Sequence, residues 1–131
     1  MTAEEALSTI RRLIEYYDKP NHPLVYPTLL SDQTHIGHIQ VVWLGQDWEL
    51  GYHITEEFNG LGYAQEAVKA FLPVIMDKLE LKELIAICQQ ENKASRVVLE
   101  KSGFQLEHCG LGYYHGRTTT ISRYRFRKLT D

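Results

Sequence analysis

Apolar residues recur along the chain with two different periods, and each period marks an element. Ala6, Leu7, Ile10, Leu13, Ile14 and Tyr17 fall at helical spacing and predict a helix from about Ala3 to Tyr17, with Thr2 as its cap and Glu5 three residues on. Lys19, Pro20, Asn21, His22 and Pro23 end it, because proline and the residue before it resist helix. Leu24 to Leu30 is short and interrupted by proline, the mark of an edge strand. His35 to Trp43 is β-branched and alternating, and Trp48 to Thr55 is a third strand. On that third strand Leu50, Tyr52 and Ile54 face one way, and Glu49, Gly51 and His53 the other.

The second half repeats the contrast. A glycine-rich turn over Asn59, Gly60, Leu61 and Gly62 opens a helix whose stripe is Ala64, Ala67, Val68, Phe71, Leu72, Ile75, Met76 and Leu79. Pro73 lies inside that stripe and predicts a kink. Glu83 to Cys88 reads as a buried strand, Asn92 to Lys101 as a short helix closed by Gly103, and Gln105 to Tyr114 with Thr118 to Lys128 as a hairpin about His115 and Gly116. The order α, β-β-β, α, β, α, β-β predicts an α+β fold in one domain over residues 1–131: a mixed, mostly antiparallel central sheet flanked by helices.

Composition narrows the function. The chain has 131 residues, 44% hydrophobic and 24% charged, which fits an ordinary globular domain. A formal charge of −3 argues against a nucleic-acid binder and suits a protein that handles a cationic amine. No apolar run reaches the roughly 18 residues needed to span a membrane. No signal core is seen at the start, so a cytoplasmic protein is expected. Two cysteines, Cys88 and Cys109, give no disulfide framework. His22, His35 and His38 have no partners at zinc-like spacing, so no metal is expected. Arg123, Arg125 and Arg127 alternate with Tyr124 and Phe126 and read as the polar face of an edge hairpin.

The stretch from Gly51 to Ala64 carries the strongest chemistry. A strand runs into glycines, and the glycines run into a helix start. Backbone N–H groups there have no internal partner and point along the helix dipole toward an anion. Gly60, Gly62 and the small Ala64 suit a pyrophosphate cradle. The absence of a Lys-Ser/Thr pair rules out an ATP-type loop, and the spacing is too short for the three-glycine dinucleotide fingerprint. A tight turn that binds nothing is the plain alternative.

Ile36 to Ile39, Glu49 to Tyr52, Gly60 to Ala67, Asn92 to Ser95 and Glu100 to Phe104, in this order and spacing, resemble the GNAT superfamily, especially its ribosomal-protein N-acetyltransferase-like branch. The resemblance implies the acyl-CoA N-acyltransferase fold, without its usual first strand, and acetyl-CoA as co-substrate. The family's pyrophosphate loop, Gln/Arg-x-x-Gly-x-Gly/Ala, falls on Asn59, Gly60, Leu61, Gly62, Tyr63 and Ala64; Asn59 departs from the usual Gln or Arg. Ile54 and Thr55 become candidate contacts for the pantetheine arm. Asn92 and Ser95 become contacts for that arm or its phosphates, although Asn92 is also a good helix cap. The family's general-acid tyrosine falls on Leu99. That role is left empty or passes to Ser95, Tyr113, Tyr114 or solvent.

Acetyl transfer needs a neutral amine, and a primary amine is largely protonated at neutral pH. Glu49 is the first candidate for the general base and matches a glutamate so used in relatives; His53 is the second. Each has a plainer reading as a surface polar residue, and Glu56 and Glu57 read as loop charges. Cys88 reads as core. The expected reaction is direct transfer from acetyl-CoA to a primary amine, on a small molecule or a protein N-terminus, by a homodimer. The competing class is a non-catalytic acyl-CoA-binding or partner-binding domain on the same fold.

Overall fold

The computed structural model describes residues 23–128. The helix predicted from Ala3 to Tyr17 lies outside them. The chain divides into two compact units, Met1–Ala67 and Val68–Asp131.

The first unit is a meander of three antiparallel strands: β1 (Leu24–Leu29), β2 (His35–Trp43) and β3 (Trp48–Ile54). Asp32 accepts the Thr34 N–H at 2.9 Å and tightens the first turn. The second turn is closed by the Leu44 N–H on the Asp47 carbonyl at 2.9 Å. It fixes the register at Trp43 opposite Trp48, so Ile39 meets Tyr52 and Val41 meets Leu50. Alternation then places Leu24, Ile39, Val41, Leu50 and Ile54 on one face, where all five are buried. Burying each such side chain contributes about 1.5–3 kcal/mol. Val25, Pro27, His38, Gln40, Val42, Glu49, Gly51 and His53 occupy the other face. Pro27 is tolerated because β1 stands at the outer edge.

Helix α1 (Tyr63–Lys78) begins in the first unit and continues into the second. Its inner stripe is Val68, Leu72, Ile75 and Met76, and it runs unbroken through Pro73. The second unit continues with β4 (Glu83–Gln89), α2 (Lys93–Lys101), β5 (Gln105–Tyr114) and β6 (Arg117–Arg127). β6 pairs antiparallel with β4 on one side and β5 on the other. Leu84, Ile85 and Ala86 are buried in succession and Cys88 beyond the half-buried Ile87, which explains the nearly continuous apolar run of β4.

The β5–β6 hairpin stands at the end of the sheet, as its reading as an edge hairpin expects; β5 is the edge, and the arginine-bearing strand is flanked on both sides. Glu107 occupies a bulge in β5, where the register slips between Leu106 and His108. From there it accepts from Arg123 Nε at 2.8 Å and Arg125 Nε at 2.7 Å. Glu83 takes Arg125 at 2.8 Å and Arg127 at 3.2 Å. Hydrogen bonding from Arg125 and then Arg123 holds the Glu107 carboxyl below the usual range against its partial burial. Two carboxylates thus pair all three arginines within the sheet.

Candidate functional site

The cradle is built by local rules. β3 ends at Ile54, and the Thr55 N–H donates to the Ile36 carbonyl at 2.8 Å, carrying the ladder one residue further. The Thr55 carbonyl accepts from Phe58, which winds Glu56–Phe58 into a single 3-10 turn. Asn59 leaves that turn in an extended conformation, its N–H on the Glu56 carbonyl. Gly60 and Gly62 follow at φ +77 and +84, left-handed values that cost an ordinary residue about 1–2 kcal/mol. A Cβ at either glycine would meet nothing within 4 Å, so the glycines answer to backbone conformation and leave open space beside it. Rings of Phe58 and Tyr63, 6.2 Å apart and edge-on, brace the turn.

Gly62 is the N-cap of α1, since its carbonyl accepts the first helical bond, from Glu66 N–H at 3.1 Å. A glycine cap has no side chain with which to occupy the N–H groups of the first turn. Alternating left-handed residues ahead of an uncapped helix start form a concave nest of N–H donors fit for an anion. Leu61, at its lip, is exposed.

Of the other predicted cofactor contacts, Ile54 turns its side chain into the core. Thr55 has spent both backbone groups and offers its hydroxyl. In the second unit Asn92 caps α2: its Oδ1 accepts the Ser95 N–H at 3.1 Å, leaving its amide NH₂ as donor. Leu99 is fully buried, so the family's tyrosine position offers no proton here. Burial pushes the Cys88 thiol above its usual range, with Arg96 opposing, which disfavours a thiolate nucleophile.

Glu49 and His53 share the outer face of β3, Glu49 half-buried and His53 exposed. Four residues at about 3.3 Å rise put their Cα atoms about 13 Å apart, so they are alternatives as base rather than partners. Three groups were missed. His38 lies directly opposite His53, and Gln40 opposite Gly51. Tyr124 is buried beneath α2, its hydroxyl donating to Glu100 at 2.7 Å and bonded also with Arg96. Burial, then the Glu100 bond, raises the Tyr124 pKa, so the phenol ties α2 to β6 rather than titrating.

Among the described residues no three or more His, Cys, Asp or Glu gather as a metal site. No described helix is long and apolar enough to cross a membrane.

Residues 1–105 match the model of the acetyltransferase (GNAT) domain. The chain belongs to the GNAT family. It is 30% identical over 109 residues to YnaD, an uncharacterised N-acetyltransferase of Bacillus subtilis strain 168, covering 81% of this chain and 61% of YnaD. Among solved structures it is similar to RimL, a ribosomal L7/L12 α-N-protein acetyltransferase in complex with coenzyme A (TM-score 0.73, 19% identity, 97% of this chain and 73% of that one). It is also similar to an F149A mutant of SpeG, the spermidine N-acetyltransferase of Vibrio cholerae (TM-score 0.74, 18% identity, 92% and 74%). These likenesses show the acyl-CoA N-acyltransferase fold that the sequence motifs implied. The GNAT chain spans less than two thirds of the length of YnaD.

Proposed function

We propose that this chain is an acetyl-CoA-dependent N-acetyltransferase that acts on a primary amine by direct transfer, with Glu49 as general base. The observation that carries this reading is the glycine-capped start of α1 behind two left-handed glycines, in a chain of the GNAT family. The residues fit the co-substrate: N–H donors from Gly60 to Ala64 converge on open space, and no side chain of the turn competes for them. Family resemblance adds the Ile54 backbone, the Thr55 hydroxyl, Asn59, the Asn92 amide and Ser95 as further contacts.

Acetyl-CoA supplies the acetyl group as an activated thioester. The chain's part is to hold the anion, orient the arm along β3 and take a proton. An incoming ammonium is drawn by the Glu49 carboxylate and gives its proton there, directly or through water. The freed lone pair then attacks, and no covalent nucleophile is required. Spermidine and a peptide with a free N-terminal amine are the two acceptor probes, the first suggested by SpeG and the second by RimL.

The burial of Leu99 favours a second reading, an acyl-CoA-binding domain without turnover. Thiol release in an amine screen separates the two; CoA binding with no release from any amine would support the second. Within the first reading, Glu49→Gln keeps the side-chain shape and removes the base. Turnover should fall at least about tenfold, and up to about 10⁴-fold, while CoA affinity holds. The deficit should shrink as pH rises, because more amine arrives neutral. Normal turnover by Glu49→Gln would remove Glu49 from this role.

A further inference from the structure

The outer face of the first unit holds a pair of groups that the proposed reaction does not use. His38 on β2 and His53 on β3 stand directly opposite each other, with ring centroids 5.7 Å apart and planes tilted by 33°. Cross-strand partners lie on the same side of a sheet, so both rings share the face of Glu49. His38 is half-buried and His53 exposed. Gln40, between His38 and Val42 on β2, lies across Gly51, with its Nε2 3.3 Å from where a Cβ would stand. The strip from His53 to Glu49 thereby carries two imidazoles, an amide and a carboxylate, with Val42 opposite Glu49.

We propose that His38 and His53 form one coupled imidazole pair, in which a charge on one ring opposes a charge on the other, and that the pair sets the charge of the face on which Glu49 stands. The inference rests on reading that face as the acceptor side. His38 acts as a positioning residue: it reaches the acceptor only through its effect on His53.

Two imidazolium rings at this separation repel, and the half-buried ring has the least water to screen it. Burial lowers the His38 pKa first, followed by the charges of His53 and of His35 on the same strand. From β1 the facing residue is Pro27, which carries no charge. With the pair neutral, the two rings add no positive charge to the face that carries the Glu49 carboxylate. As the pair protonates, positive charge joins the same strip and opposes the approach of a cationic amine. Acceptor affinity should therefore weaken on the acid side through the pair, while the turnover step follows Glu49.

The test is an NMR titration of the imidazole Cε1–H signals from about pH 5 to about pH 8 in wild type, His53→Gln and His38→Gln. In wild type His38 should titrate below the ordinary histidine range, and in His53→Gln its midpoint should move up toward it. An unchanged His38 midpoint in His53→Gln would overturn the pair. The same samples are titrated with spermidine. Its apparent Kd should rise about two- to fourfold more on acidification in wild type than in either variant, as expected for one added charge about 10 Å away. Equal acid-side weakening in all three proteins, or no spermidine effect at any pH, would overturn the role in acceptor binding. None of these readings requires acetyl transfer, so a failure of thiol release with every amine in the screen would sink the enzyme reading and leave this one standing.

Discussion

The two helices begin in opposite ways. α2 closes on itself: Asn92 caps it by accepting the Ser95 N–H. α1 starts at Gly62, a cap with no side chain, behind a second left-handed glycine. Both starts have the same deficit, since the first N–H groups of any helix lack partners. α2 meets part of that deficit internally, and α1 leaves it open to space. Asparagine is the better cap by only a few tenths of a kcal/mol, so stability alone hardly distinguishes the two residues. What differs is whether the positive end of the helix is left free for an outside anion. The same contrast holds more widely. The second unit pairs charged and phenolic groups internally through Tyr124–Glu100 and the Glu83–Arg125–Glu107 ladder, whereas the turn after β3 satisfies little beyond its own 3-10 winding.

The sharpest way to break this comparison is to make the first helix start like the second. Gly62→Asp supplies a capping carboxylate and places a negative charge where the pyrophosphate would lie. Left-handed strain of about 1–2 kcal/mol exceeds a capping gain of roughly a few tenths of a kcal/mol, so the free protein should still fold and melt a few degrees below wild type. CoA affinity should fall by at least about 100-fold, because the N–H groups are occupied and the charge repels. Calorimetry with CoA beside a thermal melt reads both. Binding at wild-type strength would place the anion site away from α1.

A middle-sized effect is expected from the self-satisfied side. Glu107 joins two arginines across the bulge, and its folded pKa lies below its unfolded one. A depressed carboxylate stabilises the fold above its unfolded pKa of about 4.3, and the contribution is lost as pH falls through the folded value. Glu107→Gln should therefore cost about 1 kcal/mol at neutral pH, allowing for the partial exposure of the group, and should flatten the acid limb of the stability curve. CoA binding should stay unchanged. A loss of CoA affinity as large as that of Gly62→Asp would erase the distinction between the two regions.

Much of this was legible from period alone. Trp48 to Thr55 was read as a strand, and β3 spans Trp48–Ile54; Asn92 was read as a cap, and it caps. Alternating and 3.6-residue patterns record burial, and burial decides element type in a small domain. What escaped depends on register between strands. The bulge that aims Glu107 at two arginines has no local signature, and so the alternation shows the polar face of an edge hairpin without the carboxylates that pair it. The His38–His53 pair was within reach: once the turn sets Trp43 against Trp48, counting five residues back and five forward brings the histidines together. The 3-10 turn at Glu56–Phe58 had no such clue, since a three-residue winding carries no periodicity.

The smallest effect separates glycines that serve structure from those that serve the site. Both helices end in the same Schellman closure. In α2 the Phe104 N–H reaches the Leu99 carbonyl at 3.0 Å and the Gly103 N–H the Glu100 carbonyl at 3.2 Å, with Gly103 at φ +99. In α1 the Leu81 N–H reaches Met76 at 2.8 Å and the Glu80 N–H reaches Asp77 at 3.2 Å, but the left-handed residue is Glu80, at φ +53. A side chain there costs about 1 kcal/mol relative to glycine, offset in part by the greater freedom that glycine has in the unfolded chain. Glu80→Gly should thus stabilise the protein by about 0.5 kcal/mol, seen as a rise of a degree or two in Tm, with no change in CoA affinity. Alanine at Gly103 should do the reverse, because its Cβ would add a 3.2 Å contact with the Phe126 ring to the same strain. If Glu80→Gly lowers Tm, the Glu80 side chain contributes more to the folded state than its backbone strain removes, and the two helix ends are not equivalent closures.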